Sequence, residues 1–387
     1  MGYDVEVVVD QEVSLREFEG TRTFGLILYD GRGVYPGGRE GLALRNIAYG
    51  VTAALAAAVV VAELLHAPVL LIFAITALAL IGLAWVLGQA TESLGAHSGP
   101  RIGGILNATF GNAAELIITI FALSAGLTTV VKASIIGSII GNVLFVLGAS
   151  LLLGGLKNGT QTFSAAIAGV NASMLAIVAA ALALPTIFAA TIPGTPPTFL
   201  SIEVAVVMFV LYILYLIFYF RSPEGQAAGP EHEPQFGRAA SFVLLLVATA
   251  AVAFVSEAFV GALEPLTEEV GLSELFVGII IVPIVGNIAE HIVGVQIAYK
   301  NQMDFSMGIS LGSSIQVALL VTPILVFFGA FIGQPLQLVF TPLELGALAA
   351  AVIITGFIAL DGKSNWLEGA MLLGVYIISA LAFFYAP

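Results

Sequence analysis

Cysteine is missing from this 387-residue chain, which excludes a disulfide framework and any thiolate metal site. Charge is nearly as scarce. Asp, Glu, Lys and Arg together make 10% of the residues, against about 25% in an ordinary soluble domain. The few charges sum to −13, a sign that argues against nucleic acid as a partner. No HExxH, GxSxG or assignable Ser-His-Asp arrangement is present, so the sequence offers no enzyme chemistry. Period-two alternation is lacking in the long apolar runs, which excludes a transmembrane barrel. The chain also lacks the basic start, short apolar core and small-residue cleavage site of a signal peptide.

What remains is hydrophobic: 59% of the residues, with mean hydropathy +1.06. Apolar runs of 18 or more residues recur, and a helix needs roughly 20 to cross a bilayer. The expected fold is an all-α polytopic membrane protein whose partner is the lipid bilayer. Eleven spans are expected, near 44–65, 68–94, 102–127, 130–153, 163–184, 199–220, 239–262, 275–299, 303–328, 343–360 and 366–385. Residues 1–43 form a charged aqueous extension with hairpin-like pieces, or a regulatory module. The organisation is then an extra helix at 44–66, a first repeat at 67–220, a polar linker at 221–237 and a second repeat at 238–387.

Lysine and arginine set the orientation. With the N-terminus cytoplasmic, Arg16, Arg22, Arg32, Arg39, Arg45, Arg101, Lys157, Arg221, Arg238, Lys300 and Lys363 fall inside and only Lys132 outside. Omitting the five before the first helix still leaves six against one. The C-terminus then lies on the opposite side, as an odd number of spans requires.

Within this apolar background two motifs stand 175 positions apart: Gly111-Asn112-Ala113-Ala114-Glu115 and Gly286-Asn287-Ile288-Ala289-Glu290-His291. A carboxylate at membrane depth costs about 2.5–3.5 kcal/mol or more unless neutralised. Each motif lies on the second helix of a five-helix set. Five is odd, so the second set is inverted relative to the first, and inverted repeats place a site at their interface near the midplane.

The residues around the motifs carry oxygen. Asn107, Gly111 and Glu115 share a helix face, with Asn112 three before Glu115, and Asn287 repeats that spacing to Glu290. Gly111 and Gly286 permit close approach, and Pro283 frees the carbonyl of Ile279. Ser134, Ser138 and Asn142 on the next helix are answered by Gly308, Gly312 and Gln316. Asn142 and Gln316 are read as site residues; Ser134, Ser138, Gly308 and Gly312 are read as helix packing, with a site role as the alternative. Such a set suits a hard cation such as Ca2+, not copper or structural zinc. His291 is read as a structural histidine, or else a proton relay. Glu257 is read as paired or snorkelled, or else on an access path. Glu264, Glu268, Glu269 and Glu274 are read as an acidic outer loop.

The paired Gly-Asn-x-x-Glu motifs, the second ending in Glu-His, and the one-plus-five-plus-five layout resemble the calcium/proton exchangers of the calcium/cation antiporter superfamily. The resemblance spans residues 44–387. It implies that Glu115 and Glu290 bind the cation and exchange protons, with Ca2+ as transported substrate and no cofactor. Sodium/calcium exchangers, which resemble it too, place a hydroxylated residue and a proline before the glutamate. Asn112-Ala113-Ala114 and Asn287-Ile288-Ala289 have neither. Glu224, Glu231 and Glu233 make the linker shorter and less acidic than the acidic helix of plant relatives. A sodium/calcium exchanger, and more remotely a divalent cation channel, stay open as alternatives.

The natural lack of cysteine makes the topology directly testable. Single cysteines replacing Gly225 and Lys363 are expected to react with an impermeant maleimide from the cytoplasmic side. A cysteine replacing Glu268 is expected to react only from the other side. Reaction of positions 225 and 268 from one side would overturn both the orientation and the inversion.

Overall fold

The computed structural model describes residues 39–99, 103, 106, 107, 109–192, 194–221 and 234–386. Eleven helices are described: α1 (Arg39–Leu64), α2 (Val69–Ser98), α3 (Ala113–Ser124), α4 (Thr128–Asn158), α5 (Ala165–Thr191), α6 (Thr198–Arg221), α7 (Arg238–Val270), α8 (Glu274–Tyr299), α9 (Met303–Phe331), α10 (Pro342–Ile358) and α11 (Trp366–Phe384). Nine are long and apolar enough to cross a bilayer; α3 and α10 are shorter apolar helices. Most of extension 1–43, and the linker acids Glu224, Glu231 and Glu233, lie outside the described residues.

Local chemistry sets the ends. Ser164 and Ser273 accept from the backbone N–H groups of Ile167 and Phe276 and so start α5 and α8. Reciprocal capping boxes, Thr341 with Glu344 and Asn365 with Glu368, start α10 and α11, each satisfying N–H groups the helix leaves unpaired. This role explains the buried Glu344. Gly271, at φ 75°, ends α7 in the left-handed conformation, which glycine adopts without steric cost.

Several helix ends run past expectation, α4 to Asn158 and α5 to Thr191 among them. Helix α1 begins at Arg39, five residues early. Helix α7 runs to Val270, so Glu264, Glu268 and Glu269 stand on its last turns and Glu274 on the first turn of α8, not in a loop. Hydropathy marks where the bilayer ends, whereas a helix continues until a cap stops it.

The loops sort to two ends of the bundle. At one end, here the linker end, Arg45 donates to Gln235 (3.2 Å) and Gln235 to Gln89 (2.7 Å). Phe236 N–H donates to Ser93 (3.0 Å). The same end holds a two-strand ribbon, β1 (Gln161–Thr162) with β2 (Lys363–Ser364). Gln161 bonds the Ala298 carbonyl at 2.8 Å, and Ser164 N–H bonds Asp304 at 2.6 Å. At the opposite end the extended segment 334–340 is pinned by Gln337 to Thr198, Leu338 to Ser201, Phe340 to Thr186 and Lys132 to Val339. Phe276 and Phe384 meet there edge to face. Arg45, Lys157, Arg221, Arg238, Lys300 and Lys363 thus lie toward the linker end and Lys132 toward the other.

Helices α2–α6 and α7–α11 form two sets related by inversion. Contacts repeat across the sets: α2 packs on α7 and α5 on α10, while α4 on α11 is matched by α9 on α6. The pair α2/α7 includes stacked Phe73 and Phe259. Helix α4 is the most enclosed, with 83% of its most apolar stretch buried against 17% in α1 and α11.

Three stretches widen to π-helix: Gly141–Val146 in α4, Val277–Ile281 in α8 and Val317–Val321 in α9. A proline ring collides with the carbonyl four residues back in a regular helix. The wider turns at 277–281 and 317–321 make that room for Pro283 and Pro323. No proline follows the stretch in α4; it occupies the place in the first repeat that 317–321 occupies in the second.

Close packing concentrates where α4 meets α8. A Cβ at Gly137 would run into the Ile279 carbonyl, and one at Gly278 would stand 2.7 Å from Ala133 Cβ. Gly137→Ala is therefore expected to lower the detergent-solubilised melting temperature by an amount equivalent to about 1–3 kcal/mol. Gly346→Ala, with nothing within 4 Å, is expected to stay within about 0.5 kcal/mol of wild type.

Candidate functional site

Each motif glycine makes room for the glutamate of the other motif. A Cβ at Gly286 would lie 3.3 Å from Glu115 Cβ, and a Cβ at Gly111 would lie 2.9 Å from Glu290 Oε1. The two carboxylates therefore come from opposite repeats into one cluster. Helix geometry differs between the copies. In the first, the chain turns at Gly111-Asn112 and α3 restarts at Ala113, so Glu115 stands in its first turn, where helix dipoles favour negative charge. In the second, α8 runs unbroken through Gly286-Asn287. The expected continuous span 102–127 is thus interrupted at its motif.

Asn112 holds the N-cap position of α3 but does not cap it. Its amide donates instead to Gln316 Oε1 at 2.7 Å, and its oxygen accepts from Ser313 at 3.2 Å. Asn287 donates to Glu115 Oε2 at 3.1 Å and reaches Ser138 at 3.3 Å. Ser138 donates to Glu115 Oε1. Ser313 lies within hydrogen-bonding reach of Glu290. Glu290 is the charged neighbour of Glu115 among the described residues. Several buried atoms in the cluster have no hydrogen-bond partner: Glu290 Oε2, Asn287 Oδ1 and Asn142 Nδ2, with Ser134 Oγ in the same stripe of α4.

The cluster is closed toward one end of the bundle and open toward the other. Glu115, Ser138, Asn142 and Asn287 are all buried, whereas Glu290, Gln316, Gly111 and Gly312 are half-buried and Asn107 and Gly308 are exposed. The tight α4–α8 contact seals the opposite end. Toward the linker end, nothing among the described residues comes within 4 Å of a Cβ at Gly308 or Gly312. Polar groups at membrane depth do not face hydrocarbon without partners, so this less buried side is where water would reach the cluster.

The other sequence candidates take varied places. At Gly308 and Gly312 no described residue comes close enough to require a glycine. Asn107 is exposed, with its carbonyl accepting from Gly111 N–H at 2.8 Å. The Ile279 carbonyl near Pro283 lies against Gly137, not beside the carboxylates. Glu257 is exposed and, with Glu63, lines a groove of about 450 Å³ between α1, α2 and α7 at the opposite end. His291 is buried, turned from Glu290 onto the edge of Phe145, which in turn meets Tyr376. Its Nδ1 has no partner.

Ser313 escaped the sequence reading, and the signal for it was available. Adding 175 to Ser138 gives Ser313, the offset that maps Gly111, Asn112 and Glu115 onto Gly286, Asn287 and Glu290. Among the described residues no group of three or more His, Cys, Asp or Glu comes together. Ligands beyond the two carboxylates would therefore be amide, hydroxyl and carbonyl oxygens, a hard-cation set.

Two inverted five-helix sets enclosing a carboxylate pair at their interface define a secondary transporter for cations. The family model for sodium/calcium exchanger protein matches residues 68–221 and 240–385, and the chain belongs to that family. It is 44% identical over 345 residues to a Ca(2+)/H(+) antiporter of Aphanothece halophytica, covering 84% of this chain and 92% of the relative. It is 42% identical over 333 residues to the Ca(2+)/H(+) antiporter ChaA of Bacillus subtilis (strain 168), covering 84% and 95%. The solved structure of native YfkE superposes with a TM-score of 0.77 at 40% identity, over 88% of this chain and 100% of that one. These relatives are transporters, not enzymes, and this chain is likewise an integral, multi-pass membrane protein.

If Ser138 and Ser313 serve matched carboxylates, their removal has matched effects. Ser138→Ala and Ser313→Ala are each expected to raise the half-saturating divalent cation concentration about tenfold, the loss of one hydrogen bond to a charged group. Ser306→Ala, one turn and more nearer the start of α9, is the comparison, and radiolabelled cation uptake is the measurement.

Proposed function

We propose that this protein is a secondary active antiporter that exchanges Ca2+ for protons by alternating access. The observation that carries this reading is the crossing of Glu115 and Glu290 over each other's motif glycine. It puts two carboxylates into one pocket whose other polar groups are neutral. Burying both as bare anions is costly. Either a divalent cation or protons can neutralise them. If each loaded form can reorient and the empty anionic form cannot, cation and protons must cross in opposite directions.

The ligand set under this reading is Glu115 and Glu290 with Asn287, Asn112, Asn142 and Gln316, supported by Ser138 and Ser313. Glu115 and Glu290 carry the protons on the return step. The printed functions of the relatives, Ca2+/H+ antiport in A. halophytica and B. subtilis, support the same pair of substrates. His291 faces Phe145, which favours a structural role for it. Gly111 and Gly286 are spacers that let the repeats meet. The segregation of basic residues to the linker end supports a cytoplasmic linker and N-terminus, so the less buried side of the cluster, beside Glu290, would face the cytoplasm and an inward proton gradient would expel Ca2+.

The test is Ca2+ uptake into proteoliposomes driven by an imposed pH gradient, with a Na+ gradient as the control driver. Glu115→Gln and Glu290→Gln are each expected to reduce uptake to background while the protein still inserts. The amide copies the shape of a protonated carboxyl but carries neither charge nor exchangeable proton. The double variant is expected to be no worse than either single one, since the two act in one network. Lowering the pH on the Ca2+-loading side is expected to suppress binding in the wild type, because protons compete for the same oxygens. Near-normal uptake by either glutamine variant would overturn the site. Equal drive by Na+ would overturn the choice of co-substrate.

A further inference from the structure

The two halves of the site match in sequence but not in hydrogen bonding. Asn287 donates to Glu115, the glutamate of the other repeat, at 3.1 Å. The symmetry mate of that bond, Asn112 to Glu290, is not made, and Glu290 Oε2 is left without a partner. Conversely, Asn112 donates to Gln316 on α9 at 2.7 Å. Its mate would join Asn287 to Asn142 on α4, and there both Asn287 Oδ1 and Asn142 Nδ2 are buried and unpartnered. Glu290 Oε2 is the atom the first missing bond would use; the second, allowing for the one-position offset between Gln316 and Asn142, would run from Asn287 Nδ2, now engaged by Glu115, to Asn142 Oδ1, and each of these two amides keeps its other end unpaired.

Packing shows the same asymmetry. Gly137 of α4 is pressed on α8, whereas a Cβ at its mate Gly312 of α9 would meet nothing within 4 Å among the described residues. Asn107 is exposed, whereas its mate Val282 is 1% exposed. In an inverted repeat, the opposite-facing state arises when each half takes the conformation of the other. Buried polar atoms without partners are costly, so a state that pairs one set while orphaning the other is balanced against its mirror.

We infer that the motif asparagines exchange partners between the two access states. With the linker end open, Asn287 holds Glu115 and Asn112 is parked on Gln316. With the opposite end open, Asn112 holds Glu290 and Asn287 is parked on Asn142. Gln316 and Asn142 are therefore positioning residues that weight the two states in opposite directions, in addition to any contact with the ion. This rests on the alternating-access reading.

The experiment uses the chain's lack of cysteine. Val282→Cys serves as reporter of the opposite-facing state and Asn107→Cys as reporter of the present one. Maleimide reaction rates are read in detergent at fixed pH with a Ca2+ chelator and no gradient. On the Val282→Cys background, Gln316→Leu is expected to speed labelling about fivefold, the shift given by one lost hydrogen bond. Asn142→Leu is expected to slow it by about the same factor. Gln316→Asn and Asn142→Gln, which keep an amide, are expected to restore rates toward wild type. If either leucine variant fails to give monodisperse protein, Gln316→Met or Asn142→Met replaces it.

Changes in the same direction, or rates for both variants that stay within about twofold of wild type, overturn the partner exchange. Because no Ca2+ or gradient is present, that result would leave the Ca2+/proton assignment standing. Failure of the Glu115 and Glu290 uptake test would leave the labelling rates readable.

Discussion

Two carboxylates must share a pocket inside a bilayer, and the architecture answers that constraint. Neither repeat could house its own glutamate alone: Glu115 needs the missing side chain of Gly286, and Glu290 needs that of Gly111. The inversion of one five-helix set against the other brings these residues into register. The neutral groups touching Glu115, Ser138 and Asn287, come from α4 and α8. They satisfy its oxygens without supplying a fixed positive charge, which leaves neutralisation to something that can leave. A lysine in the same place would make a permanent ion pair and end the cycle.

Rigidity and freedom are unevenly distributed around the pocket. At the linker end the β1–β2 ribbon, Gln161 and Asp304 tie α4, α5, α8, α9 and α11 together. At the opposite end segment 334–340 ties α4, α5 and α6 to the chain between α9 and α10. Helices α1, α2 and α7 have separate bonds among themselves, through Arg45, Gln235, Gln89, Ser93 and Ser241. The structure thus consists of a frame clamped at both ends and a three-helix unit with its own clasp.

Much of this was legible in the sequence, and the reasons for success and failure are physical. Hydropathy gave eleven spans because lipid demands continuous apolar length. The 175-residue offset gave the inversion and both glutamates because buried charge is too costly to occur there without use. Helical spacing was less informative. It says which residues share a face but not what that face meets: Gly308 and Gly312 have packing spacing yet no described atom close to a Cβ, and Asn107 shares a face with Glu115 yet is exposed. Ser313 was overlooked because the stripe on α9 was compared by its own periodicity, not by the offset already in hand.

The matched π-turns of α4 and α9 bear on how alike the two halves need to be. Such a turn holds one more residue than the regular helix around it, and one in each repeat at the same offset leaves the helices in register: Gly137 answers to Gly312 before the turns and Val146 to Val321 at their ends. The amides break that register. Glu115 to Asn142 is 27 positions and Glu290 to Gln316 is 26, so Asn142 lies inside its π-turn while Gln316 immediately precedes the one in α9. A duplicated transporter can in this way keep its two halves alike in shape while the amides beside its ion site differ in kind and stand one position apart.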